Sequence, residues 1–161
     1  MSPNVYAWEM RPIEELRYLI LAAQREGARM LAAALKQHHL TPSQAEAIAV
    51  LRDARQPLTV REIGQRLVCE GGSPSRLMST LTTKGLVEST PGVDDRRTTL
   101  LSLTPSGSDA AREVGRIEDD LYEVLTTMVD EKQLEVVLPV LRGLVAQLPA
   151  GQALQRRLAG N

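Results

Sequence analysis

The sequence predicts a mainly helical chain that carries one small β-hairpin, and three observations support this fold class. Hydrophobic residues make up 43% of the 161 and include no Phe, so the core must be built from aliphatic side chains, which favour packed helices over a strand-rich sandwich. Helix-start signals recur, most of them a Thr or Ser followed directly by Pro. Only one pair of β-rich segments occurs, which is too few strands for a sheet-based fold.

The composition of the chain excludes several classes of protein. The formal net charge is −1, so the whole molecule offers no basic field, and any nucleic-acid site must be local. The single cysteine, Cys69, cannot form an internal disulfide, and neither a signal peptide nor a membrane-spanning stretch is visible. We therefore expect a cytosolic protein of one structural unit, with no membrane partner.

Two helices are predicted in the first third of the chain. Pro12 suits a first helical position, and apolar residues then recur at steps of three and four until about Gln37. These residues are Ile13, Leu16, Ile20, Ala23, Gly27, Met30 and Ala34. In "LTPSQAEAIAVL", Thr41 and Gln44 have the spacing of a capping box, which predicts a second helix that ends near Arg55.

Two shorter helices should follow. Thr59 and Glu62 repeat the capping-box spacing in "PLTVREIGQRLV" and start a third helix. Gly71-Gly72 then interrupt the chain. A fourth helix over 74–84 is expected to be capped by Ser73 and closed by Gly85 in the left-handed conformation.

Residues 86–90 and 98–103 are β-rich segments on either side of the tip "PGVDDRR", so they predict a hairpin. Thr104 and Pro105 start a fifth helix, and a sixth begins near Asp130 and includes Pro139, which should bend it. The predicted order is α-α-α-α-β-β-α-α. The expected buried side of the fifth helix is Ala110, Val114, Ile117, Leu121, Val124 and Leu125, and that of the sixth is Leu134, Val137, Leu138, Leu141, Leu144, Val145 and Leu148.

Two short helices followed at once by a hairpin form a winged helix-turn-helix plan, in which the second helix reads the DNA major groove. In "SPSRLMSTLTTK", short hydroxyl side chains and one Arg lie on one side of the helix, while Leu77, Met78 and Leu81 can pack inward. The segment contains no acidic residue, which suits a surface placed against phosphates. The alternative is a merely polar, solvated face.

Four segments carry a resemblance to a known family: "LTPSQAEAIAVL", "REIGQRLV", "SRLMSTLTTKGLVES" and "DDRRTTLLSLTPSG". Their order and spacing over residues 40–114 resemble the MarR family of bacterial transcriptional regulators. The resemblance covers about half of the chain. It implies a winged helix-turn-helix domain at 41–104, between dimerisation helices at 1–40 and 105–161.

The resemblance also implies a homodimer that binds a pseudo-palindromic DNA duplex. Two recognition helices would enter successive major grooves, and Arg97 at each hairpin tip would enter a minor groove. Asp95 would orient Arg97 by ion pairing, and Arg96 would lie on the DNA backbone. The predicted DNA-contacting residues are Arg61, Ser73, Ser75, Arg76, Ser79, Thr80, Lys84, Asp95, Arg96 and Arg97.

The resemblance further suggests a repressor that is released by a small aromatic or phenolic ligand. The candidate ligand residues lie in or just after the first helix: Arg17, Tyr18, Arg25, His38 and His39. Two alternatives are a winged-helix scaffold that binds protein, and a regulator that senses oxidants through Cys69, although Cys69 is expected to be a packing residue. The sequence shows no catalytic motif, and we expect no enzyme activity, no cofactor and no metal site.

Overall fold

The computed structural model describes residues 10–69, 72–93 and 95–159 of the chain. Seven α-helices surround a two-stranded hairpin in this part of the chain. A short 3-10 turn, Lys36–His38, follows the first helix. The elements are α1 (Pro12–Leu35), α2 (Pro42–Ala54), α3 (Val60–Gly64), α4 (Pro74–Thr83), β1 (Val87–Pro91), β2 (Thr99–Leu103), α5 (Pro105–Met128), α6 (Glu131–Val145) and α7 (Pro149–Ala159).

The hydrophobic core lies where α2, α3, α4, the hairpin and the start of α5 meet. Ile48, Ile63 and Leu81 are fully buried there, together with Val87 of β1. The two strands pair antiparallel, with Val87 opposite Leu103. Leu58, which precedes α3, adds two backbone hydrogen bonds of 3.0 and 2.8 Å to Leu101 of β2. The hairpin is therefore fastened to the helical core at its base.

The predicted start signals of α2, α3 and α5 and the stop signal of α4 are confirmed. Thr41 and Gln44 form a reciprocal capping box at α2, and Thr59 and Glu62 form another at α3. The Thr104 hydroxyl accepts the Gly107 N–H at the start of α5. Gly85 has φ +71°, as a left-handed helix-ending position requires. Gly72 has φ +79°, while Gly71 lies outside the described residues.

The C-terminal segment differs from the sequence prediction because the sixth helix ends early. α6 stops at Val145, and a separate helix, α7, begins at Pro149. A Cβ on Gly151 would lie 1.9 Å from the Val145 carbonyl oxygen, so glycine is what allows α7 to turn so closely against α6. Pro139 lies inside α6 as expected, and the bend remains a prediction.

The predicted apolar faces of the long helices are only partly buried within one chain. On α5, Val114 is 1% exposed near the core, but Leu125 in the last turns is 47% exposed. Ile13 of α1 is 65% exposed, and α6 has no buried residue. These faces extend beyond the winged-helix core, and nothing in the described part of the chain covers them. None of the described helices has the length and hydropathy that a membrane span requires.

The first turn of α5 passes very close to the hairpin. A Cβ on Gly107 would lie 1.9 Å from the backbone oxygen of Leu86 and 3.3 Å from a methyl group of Leu103. The Thr104 hydroxyl donates a 2.6 Å hydrogen bond to the Gly85 carbonyl at the same junction. The hairpin and α5 therefore form one packed unit.

Gly107→Ala should destabilise the fold strongly, because its methyl group would overlap a backbone oxygen that the hairpin holds in place. We expect a loss of about 3 kcal/mol, at the upper end for overpacking. Gly143→Ala is the matched control, since nothing lies within 4 Å of a Cβ there. The control should gain up to about 1 kcal/mol of helix propensity. Urea denaturation measures both, and equal midpoints would contradict the close packing.

Candidate nucleic-acid interface

Helix α4 has one polar exposed side and one apolar buried side. Leu77, Met78 and Leu81 are buried in the core. On the other side Ser73, Ser75, Arg76, Ser79 and Thr83 are exposed, and Thr80 is partly exposed. The exposed side offers hydroxyl groups and one guanidinium with no carboxylate. Such a surface can approach a polyanion and donate hydrogen bonds to base edges or phosphates.

The start of α4 is built differently from the prediction for Ser73. Ser73 occupies the N-cap position, but its hydroxyl makes no capping hydrogen bond, so the predicted side-chain cap is wrong. Pro74 fills the first helical position, where a missing N–H costs nothing. The Pro74 ring lies against Gly64 of α3, where a Cβ would come within 2.9 Å of the ring. Packing rather than a cap therefore holds the start of α4.

Two predicted DNA contacts on α4 have bonding partners inside the protein. The Lys84 ammonium donates to the His39 carbonyl at 2.5 Å and to Gln44 Oε1 at 3.0 Å. The Thr80 hydroxyl donates to the Arg76 carbonyl at 3.0 Å, one turn earlier in the helix. Lys84 therefore ties the end of α4 to the start of α2 while it remains exposed, and its contact with DNA stays a prediction.

The hairpin tip presents two neighbouring arginines to solvent. Gly92 N–H donates to the Thr98 carbonyl at 2.8 Å, and Thr98 N–H donates to the Asp95 carbonyl at 3.0 Å, which closes the tip into a tight turn. Arg96 and Arg97 are exposed within this turn. Asp94, the first acid of the "DDRR" cluster, lies outside the described residues.

Asp95 acts on Arg97 through the backbone. Its Oδ1 accepts the Arg97 N–H at 2.9 Å, a side-chain turn that Asp favours. No ion pair between the Asp95 carboxylate and the Arg97 guanidinium is present among the residues that the structure describes, so the predicted pairing is corrected. The Asp95 carboxylate therefore restrains the backbone at Arg97, whose side chain is exposed.

Four exposed arginines of the candidate interface pair with no acid that the structure describes. Arg61 of α3, Arg76, Arg96 and Arg97 form no ion pair in the described part of the chain. Half of the other twelve arginines do form such pairs: Arg11, Arg29, Arg52, Arg112, Arg116 and Arg157. No described carboxylate neutralises the four guanidinium groups of the candidate interface, which can therefore interact with an external anion.

Cys69 lies just after α3, where a carboxylate holds its backbone. Glu46 Oε1 accepts the Val68 N–H at 2.6 Å, and Oε2 accepts the Cys69 N–H at 2.8 Å. Partial burial of the sulfur, reinforced by the negative charge of Glu46, raises the pKa of the Cys69 thiol to about 11. A thiol of this kind stays protonated near neutral pH and is a weak nucleophile, which argues against the oxidant-sensing alternative.

The candidate ligand residues are spread along the N-terminal helix. Arg17 lies over the Tyr18 ring at 5.0 Å, and both are exposed, as are Arg25 and His39, while His38 is partly exposed. His39 contributes its backbone carbonyl to Lys84. The structure therefore does not bring the five residues together. No group of three metal-ligating side chains occurs among residues 10–69, 72–93 and 95–159.

Three cavities lie elsewhere, and none is lined by those five residues. One of about 250 Å³ lies between α1 and α5. A second of about 430 Å³ lies between the end of α2, β2 and the start of α5. A third of about 600 Å³ separates α7 from the segment after α3. Sequence spacing could not locate these cavities, because each is formed by elements that are far apart in the chain.

Comparison with known proteins identifies the class of the site. A family model described as a winged helix DNA-binding domain matches residues 40–107, which span the core, α4 and the hairpin. The transcriptional regulator SarZ of Staphylococcus haemolyticus is 25% identical over 118 residues, or 73% of this chain and 80% of SarZ. Residues 40–107, which include α4 and the hairpin, thus form a winged helix DNA-binding domain.

Solved structures show the same fold. A MarR variant from Escherichia coli in complex with operator DNA matches with a TM-score of 0.72 and 24% identity, over 83% of this chain and 95% of the other. The organohalide-sensing regulator RdhR in its 2,4-dichlorophenol-bound form matches with a TM-score of 0.74 and 18% identity, over 92% and 88%. The chain therefore shares its winged-helix fold with these proteins.

Cys69 should react slowly with iodoacetamide in the native protein. At pH 8 a thiol whose pKa is about 11 is roughly 0.1% thiolate, whereas an ordinary thiol is about a quarter ionised. We expect alkylation about two orders of magnitude slower than in urea-unfolded protein at the same pH. Mass spectrometry of timed samples measures both rates, and similar rates would show that the thiol is not perturbed.

Proposed function

We propose that the chain acts as a repressor that binds a pseudo-palindromic DNA duplex as a homodimer and leaves it when a small ligand binds. The amphipathic character of α4 is the observation that supports DNA binding in this proposal. Its exposed side holds Ser, Thr and Arg side chains and no acidic residue, and its opposite side is apolar and buried. In this arrangement Ser75, Arg76 and Ser79 face the base edges of a major groove. A scaffold that binds protein has no need for an acid-free face beside an Arg-tipped hairpin.

The hairpin supplies the second contact. The turn fixed by the Asp95 carboxylate holds the backbone of Arg97, which reduces the freedom that a long side chain must lose on binding. A narrow minor groove attracts an inserted guanidinium strongly. Arg96 lies beside it within reach of phosphates, and Arg61 of α3 adds a further phosphate contact in this proposal.

Specific contacts with bases and phosphates must provide most of the binding free energy, because the net charge of the winged-helix region is small. Residues 59–99 contain six basic and five acidic residues, which leaves +1. Few counterions are then released per subunit, so the logarithm of the affinity should fall only modestly with the logarithm of salt concentration. Non-specific binding should be weak for the same reason.

The long helices provide the dimer interface of this proposal. Leu138 and Leu141 of α6 are 40% and 38% exposed, and Leu125 of α5 and Ile20 of α1 are exposed on the neighbouring helices. Large exposed apolar surfaces of this kind mark interfaces, and a two-fold symmetric dimer is the usual assembly. The regions 1–40 and 105–161 then form the dimerisation part around the DNA-binding domain at 41–104.

Ligand release is the regulatory part of the proposal, and it concerns the cavity between α1 and α5. Leu31, Ile117 and Leu121 give this cavity an apolar wall, and Gln37 and Asp120 give it hydrogen-bonding groups. A small aromatic molecule with a phenolic hydroxyl matches this combination. The RdhR structure, whose ligand is 2,4-dichlorophenol, supports the same chemistry in a protein of similar fold. The function proposed here requires no enzymatic step.

Arg97→Ala should weaken binding to a duplex selected from random DNA by about 1 to 3 kcal/mol, the scale of one good groove contact. Arg116→Ala, an equal loss of charge on α5, is the control and should bind almost as the wild type does. Fluorescence anisotropy at fixed salt measures both affinities. Equal binding by the two variants would show that the hairpin is not part of the interface. Failure of the wild type to select any duplex would overturn the proposed function.

The free protein should sediment at micromolar concentration with twice the 17.7 kDa mass of one chain. Leu141→Glu should shift it towards monomer, because a carboxylate would then be buried in the apolar interface. Val136→Glu is the control, since Val136 is 68% exposed and lies off the apolar face of the same helix. A stable wild-type monomer would refute the dimer, as would equal dissociation of the two variants.

A further inference from the structure

A network of partly buried charges joins α7 to the DNA-binding domain. Arg157 of α7 lies 3.5 Å from Glu46 Oε1 and 3.5 Å from Asp53 Oδ2, both on α2. Arg52 contacts Asp53 at 2.7 Å and Glu118 of α5 at 3.3 Å. The Glu46 side chain is only 9% exposed and that of Arg157 is 22% exposed. At such burial a charge is costly unless it is paired, so the partners depend on each other.

Glu46 is also the group that holds the segment before α4. Its two carboxylate oxygens each accept one backbone N–H, from Val68 and from Cys69, at 2.6 and 2.8 Å. Charge-assisted bonds of this length are stronger than neutral ones. The Glu46 side chain therefore fixes the backbone at Val68 and Cys69. Gly72, three residues after Cys69, is where the chain turns into the recognition helix.

The other end of α4 is held by the same part of α2. Gln44 Oε1 accepts both the Thr41 N–H of its own capping box and the Lys84 ammonium that follows α4. Gln44 is 8% exposed. Two side chains that are two residues apart on α2 therefore restrain the segments on both sides of α4. Arg157 contacts one of them.

A cavity lies beside the contact of α7 with α2. It has a volume of about 600 Å³ and is lined by Leu148, Ala150 and Ala153 on one side and by Leu67 and Val68 on the other. The Arg157–Glu46 ion pair crosses from α7 to the carboxylate that holds this segment.

We propose that Glu46 is a positioning residue for the recognition helix, and that Arg157 orients its carboxylate, so that the docking of α7 sets the affinity for specific DNA. This inference rests on the DNA binding proposed above. Neither residue touches DNA in this arrangement. When Arg157 is removed, the Glu46 carboxylate loses its cation, the Val68 and Cys69 backbone loosens, and α4 presents its polar side less uniformly.

Arg157→Gln tests the inference against Arg156→Gln, a neighbouring exposed arginine of the same helix with no ion pair in the described part of the chain. The two variants have the same charge. Relative to Arg156→Gln, Arg157→Gln should bind the duplex selected by the wild type about 2- to 30-fold more weakly, the range of conformational coupling. Both should bind a scrambled duplex equally, and Arg157→Lys, which retains the cation, should lie closer to the wild type.

Hydrogen exchange of the Val68 and Cys69 amides in the DNA-free dimer supplies a second readout. Relative to the exchange of core amides such as Ile48, which reports global unfolding, it should be faster in Arg157→Gln and in Glu46→Gln than in Arg156→Gln. The double variant Glu46→Gln/Arg157→Gln should bind the selected duplex more tightly than two independent effects predict, since both changes break one contact.

Three results would overturn the inference: equal affinity of Arg157→Gln and Arg156→Gln for the selected duplex, equal loss on the selected and scrambled duplexes, or unchanged amide exchange. If the wild type selects no duplex, the proposed function fails, while the amide exchange still shows whether Arg157 acts through Glu46.

Discussion

The burial of Leu77, Met78 and Leu81 against α2 is the interaction on which the rest of the structure depends. A helix of ten residues is not stable alone in water, and α4 also lacks a side-chain cap. Its conformation and its direction must therefore come from tertiary contacts. The apolar side determines which way the polar side faces, and the bonds at both ends limit how far the helix can slide or rotate. The same surface of α2 thus supports the stability of the domain and, in the proposed function, the presentation of the polar side of α4 to DNA.

Local chemistry made much of this fold predictable. Capping boxes at Thr41 and Thr59, the capping hydroxyl of Thr104 and the left-handed Gly85 depend on residues within a few positions of each other. The short range of these interactions is why sequence spacing alone located the helix ends. The division of α4 into a polar and an apolar side follows from helical periodicity in the same way.

The errors arise where distant parts of the chain meet. Nothing in the spacing of Glu46 and Arg157 shows that α7 returns to α2, because the corner at Gly151 decides it. The bonds of Lys84 to His39 and Gln44 were not predicted, because these partners lie some forty residues away. The sequence predicted apolar faces on α5 and α6 that a single chain does not bury, and a second copy is proposed to cover them.

The junction of the hairpin with α5 has a mechanical consequence. Gly107 and Thr104 pack the start of α5 directly against the hairpin with no flexible linker between them, so the two elements move as one rigid unit. α5 has 24 residues and is therefore about 36 Å long. A tilt of only about 5° at one end of such a helix displaces the other by roughly 3 Å, close to the rise of one base pair. In the dimer and the DNA complex proposed above, a small change in the angle between the two subunits would therefore shift the hairpin along the duplex.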